Sequence, residues 1–351
     1  MKLSEFKFDL PEELIALEPS YHRDEARMMV LNRKTQTIEH KLFKDLVNYF
    51  DEGDVIVMND TKVFPAMLEG EKEKTRAKIN VLLLRELNKD TRLWDVLVDP
   101  ARKVRSANKL YFGENDDLVA EVIDNTTSRG RTIRFLFDMP YDHFIKTLYG
   151  FGSTPIPDQL RKLRPVKEED AEWYQTVFAK TEGSIAAPFA CLHFSRELLK
   201  RLEIKGVDIQ YITLHCGLGN FRAIEVEDIN KHHPESEEMI LSKGVVKAIT
   251  DAKQNQRNVC AASTSTMKAL ESASTIAGKL KPYSGWTNRF IYPPYDFSIA
   301  NRLLTNFQLP GSPMLMMACA FGGYNTVMNA YKVAIAEKYK FFAYGDALLI
   351  I

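Results

Sequence analysis

VIVMND (55–60), INVLLLREL (79–87), LWDVLVD (93–99), KLYF (109–112), LVAEVID (118–124) and TIRFLF (132–137) are the runs whose reading decides the fold of this chain. Each is short and rich in β-branched or aromatic residues, and turn-forming stretches at 113–117 and 125–130 interrupt the series. Closely spaced strands with no helix between them predict a small barrel or sandwich. Mixed segments flank the block on both sides. The expectation is therefore a small β-barrel domain at 61–149, inserted into a discontinuous main domain of the α/β (mixed α+β) class formed by 1–60 and 150–351.

Working outward, Pro11 followed by LIAL predicts a short helix that enters a strand at 28–31. On the other side, STPIPDQLRKLRP (153–165) carries three prolines that disfavour regular structure and predict an exposed hinge or loop. From 195 onward the pattern alternates. SRELLKRLEIKG (195–206) reads as a helix with Ser195 at its N-cap and Gly206 at its stop, and VDIQYITLH (207–215) as a strand. SKGVVKAITDAK (242–253) is a second helix and NVCAA (258–262) a second short strand. TMKALESA (266–273), the amphipathic run 325–339 and KFFAYGDALLII (340–351) complete an α/β series.

A chain of 351 residues, 45% of them hydrophobic, can bury a substantial core, and its length favours two domains. Lys plus Arg and Asp plus Glu each number 47, so no net positive field draws the protein onto RNA or an anionic membrane, and any RNA contact must come from local patches. Cys191, Cys216, Cys260 and Cys319 lie far apart with no CxxC spacing, which suggests neither a zinc site nor a disulfide framework. The opening residues lack a signal pattern, and no apolar run approaches the roughly 20 residues that span a bilayer. A cytoplasmic, non-membrane protein is expected.

Individual motifs leave alternatives open. TLHCGLGNFR (213–222) follows a strand, where α/β proteins bind ligands, but the third glycine of a dinucleotide fingerprint is missing, so it is either a ligand loop or a tight turn. Ser263, Thr264, Ser265 and Thr266 stand between a strand and a helix and can hold a carboxylate or phosphate, or simply cap the helix. His193 and His215 sit at element edges as proton carriers or as hydrogen-bonded structural residues. His232 and His233 match no metal spacing, and no metal is predicted. Arg102, Lys103, Arg105 and Lys109, and again Arg161, Lys162, Arg164 and Lys167, either track phosphates or form a solvated charged face.

Taken in order, these and other short motifs match one family. LPEELIA (10–16), Arg23, Asn59-Asp60-Thr61 with Lys62, Val63, Pro65 and Ala66, YQT (174–176), AAP (186–188) and LHF (192–194) come first. TLH (213–215), GLG (217–219), Phe221 with Arg222, Ser236 with Glu237, LES (270–272), Gly285 with Thr287, FIYP (290–293), TNF (305–307), Leu309 with Pro310, and YGDA (344–347) follow. The chain resembles the S-adenosylmethionine:tRNA ribosyltransferase-isomerases of queuosine biosynthesis over almost its whole length. The resemblance implies a discontinuous α/β domain interrupted by a β-barrel. It implies S-adenosylmethionine as cosubstrate, the anticodon stem-loop of tRNA as partner, and neither metal nor redox cofactor. The implied reaction moves the ribosyl part of S-adenosylmethionine onto 7-aminomethyl-7-deazaguanine at the wobble position and isomerises it, releasing adenine and methionine.

That chemistry sets physical demands. A carbon beside a sulfonium is acidified, so a modest base near C5′ can act if water is excluded, while the RNA brings its own amine nucleophile. The resemblance assigns proton transfer to His193 or His215, with Glu237 and Asp346 as charge partners. It makes Asp60, Thr61, Arg222, Thr264, Tyr292 and Asn306 binding groups. The glycine-rich loop of a methyltransferase is not found. The chain departs from the family pattern at several positions. Phe189-Ala190-Cys191 replaces TAG, Ser263-Thr264-Ser265 replaces GTT, Thr266 and Lys268 replace Ser and Arg, and Gln308 replaces His. Pro234 and Glu235, Asp158 and Gln159, Gly311 to Pro313, and Met67 differ as well. The alternative that these departures raise is a divergent paralogue that binds tRNA or a nucleoside without turnover or with altered specificity.

Overall fold

Every residue of the strand Val55–Asn59 is buried, as an apolar run requires when both faces of its sheet are covered. The computed structural model describes residues 1–220, 224–275 and 277–351. The chain forms two compact units, Met1–Lys62 with Gln175–Ile351 and Val63–Tyr174.

In the first unit Val55–Asn59 lies within a nine-stranded sheet. From edge to edge its strands are Tyr283–Thr287, Glu237–Leu241, Asp208–Leu214, Val55–Asn59, Val259–Ala262, Arg302–Asn306, Ala347–Ile350, Arg27–Leu31 and Ile38–Leu42. The four from Asp208–Leu214 to Arg302–Asn306 are mutually parallel, and antiparallel strands flank them on both sides. Strand period two divides their side chains between two cores. Val55, Val57, Val259, Ala261 and Leu303 meet residues of the helices Lys243–Gln254, Thr264–Ser272, Pro313–Gly322 and Tyr324–Ala336. Ile56, Met58, Cys260, Ala262 and Leu304 instead meet Leu198 and Leu202 of the helix Arg196–Ile204, together with Phe43, Phe50 and Phe194. All four cysteines are free and buried, so they serve as small apolar residues.

Six strands of the second unit pair in the order Met67–Lys72, Lys78–Asn88, Leu93–Asp99, Gly130–Leu136, Leu118–Asn125 and Lys109–Phe112, and the last returns to the first through Glu71 with Tyr111 and Lys72 with Leu110. Ring closure leaves these six without a free edge. Val81, Leu83, Val96, Val98, Ala120, Val122, Ile133 and Phe135 are buried, and the helix Tyr141–Phe151 buries Phe144 and Leu148 completely. The expected mixed α/β fold with a small barrel is thus what the chain adopts.

Local differences have local causes. Residues 10–25 form only single 3-10 turns, at Glu12–Leu14 and Arg23–Glu25, before the strand Arg27–Leu31. The proline-rich 153–165 stretch is not all loop. Asp158–Leu163 is helical with Pro157 at its N-cap, where a missing N–H costs nothing. Helix Arg196–Ile204 begins as read, with Ser195 Oγ accepting from Leu198 N at 3.0 Å, and Gly206 ends it at φ +86°.

Candidate active site

The four parallel strands end at Leu214, Asn59, Ala262 and Asn306, and two adjoining hollows lie at that edge. Ligands of open α/β sheets bind in this position. The smaller hollow, narrow and about 270 Å³ only with the open solvent at its mouth included, is walled by Ala187, Pro188, Phe189, Ala190, Ser263, Thr305 and Gln308. The larger, about 600 Å³ and partly open to solvent, is walled by Gly219, His232, Pro234, Glu237, Lys268, Arg289, Phe290, Ile291, Pro313 and Met317. Cys216, Thr264, Ser265 and Met314 belong to both.

Short-range chemistry builds this edge. The Asn59 amide pairs with Leu214 as a backbone would. Its Nδ2 donates to Leu214 O at 2.9 Å and its Oδ1 accepts from Leu214 N at 3.0 Å. The same side chain donates to Ser265 Oγ at 3.2 Å and accepts from Thr61 N at 3.1 Å, so one residue couples two strand ends to the helix start. Ser263 caps that helix by accepting from Ser265 N at 3.2 Å, yet its φ is +87°, a region in which glycine is at home. A serine thus stands here in a backbone region that favours glycine.

Electrostatics in the larger hollow centre on Glu237. Its Oε2 meets Lys268 Nζ at 2.7 Å and its Oε1 accepts from Gly217 N at 2.8 Å. Its partner is thus a lysine and a loop N–H, not the histidine expected. Arg289 donates to Tyr295 Oη at 3.0 Å and also faces the hollow. The helix Thr264–Ser272 begins between the hollows with its partial positive end toward them. Lys268, Arg289 and this helix start favour an anionic group at one end of a ligand.

Three of the expected residues gather elsewhere. Thr61 Oγ1 lies 2.8 Å from His215 Nδ1, and Thr213 Oγ1 donates to Asp60 Oδ1 at 2.6 Å. Burial pushes the His215 pKa down, against the opposing pull of Glu238 and Asp60. Gly183, at φ +149°, passes directly over the ring, and a Cβ there would fall 2.7 Å from Nε2. His215 and Cys216 are chain neighbours in an extended segment and point to opposite sides. Among the described residues, Cys216 lines the hollows and His215 does not.

His193 and Asn306 form a separate buried pair. His193 Nε2 lies 3.0 Å from Asn306 Oδ1. Asn306 Nδ2 donates to the carbonyls of Phe342, Ala343 and Gly345, which turns its oxygen toward the ring and makes Nε2 the donor. Burial lowers the His193 pKa to about 4, so the ring is neutral near pH 7. Asp346 accepts from the backbone N–H of Arg27 at 2.8 Å and of Lys340 at 2.7 Å. It ties segments together rather than serving a histidine. Tyr292 Oη donates to Asn230 Oδ1 at 2.7 Å, and Arg222 lies outside the described residues. Of the expected set, then, Glu237 and Thr264 share the cleft.

Ser265, one of the hydroxyls read as ligand-holding or capping, lines both hollows, and Lys268, Arg289 and Gln308 complete the walls, marked as such by their convergence in space. Lys268 and Gln308 stand out in the sequence as departures from a pattern, with no sign that they line a hollow. The Phe189 ring packs edge-on against Phe342 at 5.4 Å and forms a wall of the smaller hollow without closing it. Among the described residues no group of three or more His, Cys, Asp or Glu side chains is placed to hold a metal ion. No helix among them is long and apolar enough to cross a membrane.

These features define a class, a discontinuous α/β protein with a barrel between two of its segments in the sequence and a cleft at the carboxyl ends of its parallel strands. The chain matches the model of the family described as queuosine biosynthesis protein over residues 3–350 and belongs to that family. It is 61% identical to the S-adenosylmethionine:tRNA ribosyltransferase-isomerase of Bacteroides fragilis over 351 residues, covering 100% of this chain and 99% of the relative. It is 59% identical to the protein of the same name from Cytophaga hutchinsonii, with 100% of both chains covered. Among solved structures, the S-adenosylmethionine tRNA ribosyltransferase of Thermotoga maritima is similar at a TM-score of 0.55 and 32% identity, over 99% of this chain and 100% of that one.

Proposed function

We propose that this chain is an S-adenosylmethionine:tRNA ribosyltransferase-isomerase of queuosine biosynthesis. It acts in the cytoplasm on the 7-aminomethyl-7-deazaguanine of a tRNA anticodon stem-loop. The observation that carries the reading is the cleft in which Lys268, Arg289 and the start of helix Thr264–Ser272 converge beside an aromatic-walled hollow, in a chain 61% identical over its length to a relative of that name. Lys268 and Arg289 suit the methionine carboxylate, and Glu237 suits the neighbouring positive charges of the cosubstrate's ammonium and sulfonium. The RNA amine is the nucleophile, so the protein's tasks are positioning, exclusion of water and proton handling. Among the described residues neither His193 nor His215 lines the cleft, and His215 is the less committed of the two for proton transfer. It is only partly buried and is oriented through Nδ1 by Thr61, whereas His193 is committed to Asn306.

The test uses the pure protein, S-adenosylmethionine and an anticodon stem-loop carrying the aminomethyl base. Mass spectrometry should find one adenine released for each base that gains the isomerised ribosyl group. Retention of the RNA with no adenine would sink the reading.

A further inference from the structure

Gln308, in the wall of the smaller hollow, carries a buried oxygen with nothing to accept. Gln308 is 1% exposed, and its Oε1 has no hydrogen-bond partner among the described residues. The rest of the residue is committed. Its backbone N–H donates to Tyr331 Oη at 2.9 Å, and its Nε2 donates to Thr305 Oγ1 at 3.4 Å. Thr305 Oγ1 spends its own proton on Asn306 O at 3.4 Å, which leaves it an acceptor and fixes which end of the Gln308 amide is nitrogen. A buried carbonyl oxygen left unpaired is costly and uncommon, and here it belongs to the wall of a hollow that already holds the N-terminus of a nine-residue helix.

We infer that Gln308 is a specificity-determining residue that reads the adenine of S-adenosylmethionine, its Oε1 accepting from the 6-amino group. The inference rests on the proposed reaction. An acceptor calls for an N–H donor and repels a carboxylate, so the amino-bearing end of the cosubstrate belongs here. Phe189, Met314 and Ala187 give this hollow apolar walls, of which the Phe189 ring is the planar one that a heterocycle can stack on. The hollow meets the larger one at Cys216, Thr264, Ser265 and Met314. A single molecule with an amino-heterocycle at one end and a carboxylate at the other spans both, with the carboxylate toward Lys268 and Arg289.

The experiment compares S-adenosylmethionine with its analogue in which hydrogen replaces the 6-amino group, using wild type, Gln308→Leu and Gln308→Glu. Wild type should prefer the natural cosubstrate by about tenfold to a hundredfold in kcat/KM, the range set by one buried hydrogen bond left unmade. Gln308→Leu should raise the KM for S-adenosylmethionine, leave the KM for RNA alone and lose the preference, while Gln308→Glu, which retains an acceptor, should keep it. The inference is overturned if wild type treats both compounds alike, if Gln308→Leu discriminates as wild type does, or if the KM that moves is that of the RNA. If wild type turns over neither compound, the proposed reaction fails. Calorimetric binding of the two compounds to the same three proteins then still decides the role of Gln308.

Discussion

His193 shows how far one buried ring can govern stability. The unfolded chain protonates it near 6.5, whereas the folded protein, which would have to bury the charge, does so only at about 4. The group's stability is therefore fully present above 6.5 and is lost as pH falls through 4. That gap corresponds to roughly 3 kcal/mol. Exchanging His193→Gln, which retains a donor for Asn306, should remove that component from the acid limb of a urea-denaturation series between pH 7 and 4. An unchanged acid limb would mean that the ring is solvated. His215 makes the contrasting case. Gly183→Ala would place a Cβ at φ +149° and drive it into the Nε2 edge of the ring, so it should lower the urea midpoint by an amount that reflects about 1–3 kcal/mol of strain, and kcat measured well below that midpoint should fall at least about tenfold if the ring transfers the proton. At this scale the sequence is informative about residue type and poor about environment. Both histidines are visible as candidates, but burial by Asn306 and Phe43 in one case, and orientation by Thr61 in the other, come from residues 113 and 154 positions away or from another element.

Among the elements, those with strong local signals are legible and those shaped by distant neighbours are not. The helix at 195–206 has a cap, an apolar stripe and a glycine stop within twelve residues, and all three appear in the structure. The barrel strand Met67–Lys72 has few apolar residues and gives no strand signal of its own. It is held by pairing on both sides and by the close approach of Gly70 to Phe112, where a Cβ would fall 2.6 Å from the ring. The start of helix Thr264–Ser272 reads in the sequence as either ligand-holding or merely capped, and its geometry combines both. Ser263→Gly removes the cost of φ +87° on a residue with a Cβ, about 1–3 kcal/mol, at the expense of a few tenths for the weaker cap. A higher urea midpoint for the unit formed by Met1–Lys62 and Gln175–Ile351 is the expected outcome. Lys268→Met should raise the KM for S-adenosylmethionine about tenfold, because it removes one cation from the carboxylate end of the cleft and leaves Glu237, among the described residues, with only its loop N–H. A lower KM would place the carboxylate elsewhere.

On the scale of the whole molecule, a balanced charge leaves RNA attraction to patches, and the two basic clusters evident in the sequence share exposed members, Lys162 and Lys167 among them, but differ at Arg164. Arg102, Lys103 and Arg105 are exposed at the 3-10 turn that follows the barrel strand Leu93–Asp99. Arg164, in contrast, is buried, and its guanidinium holds Asp170 through two hydrogen bonds at 2.6 and 2.8 Å, so it is committed to the unit's own interior. Sequence places both clusters in the same category, because a run of basic residues does not reveal which of them will find a buried carboxylate. Reversal of the exposed charges, Arg102→Glu with Lys103→Glu and Arg105→Glu, should weaken stem-loop binding and flatten the plot of log affinity against log salt by about one for each phosphate that is no longer neutralised. Arg164→Ala should leave that slope unchanged and instead destabilise the Val63–Tyr174 unit by roughly 3–5 kcal/mol, since it removes the buried cation that faces the Asp170 carboxylate. Measuring the salt slope and the urea midpoint on both variants separates the two roles. An unchanged slope in the triple variant would move the RNA to another face of the protein.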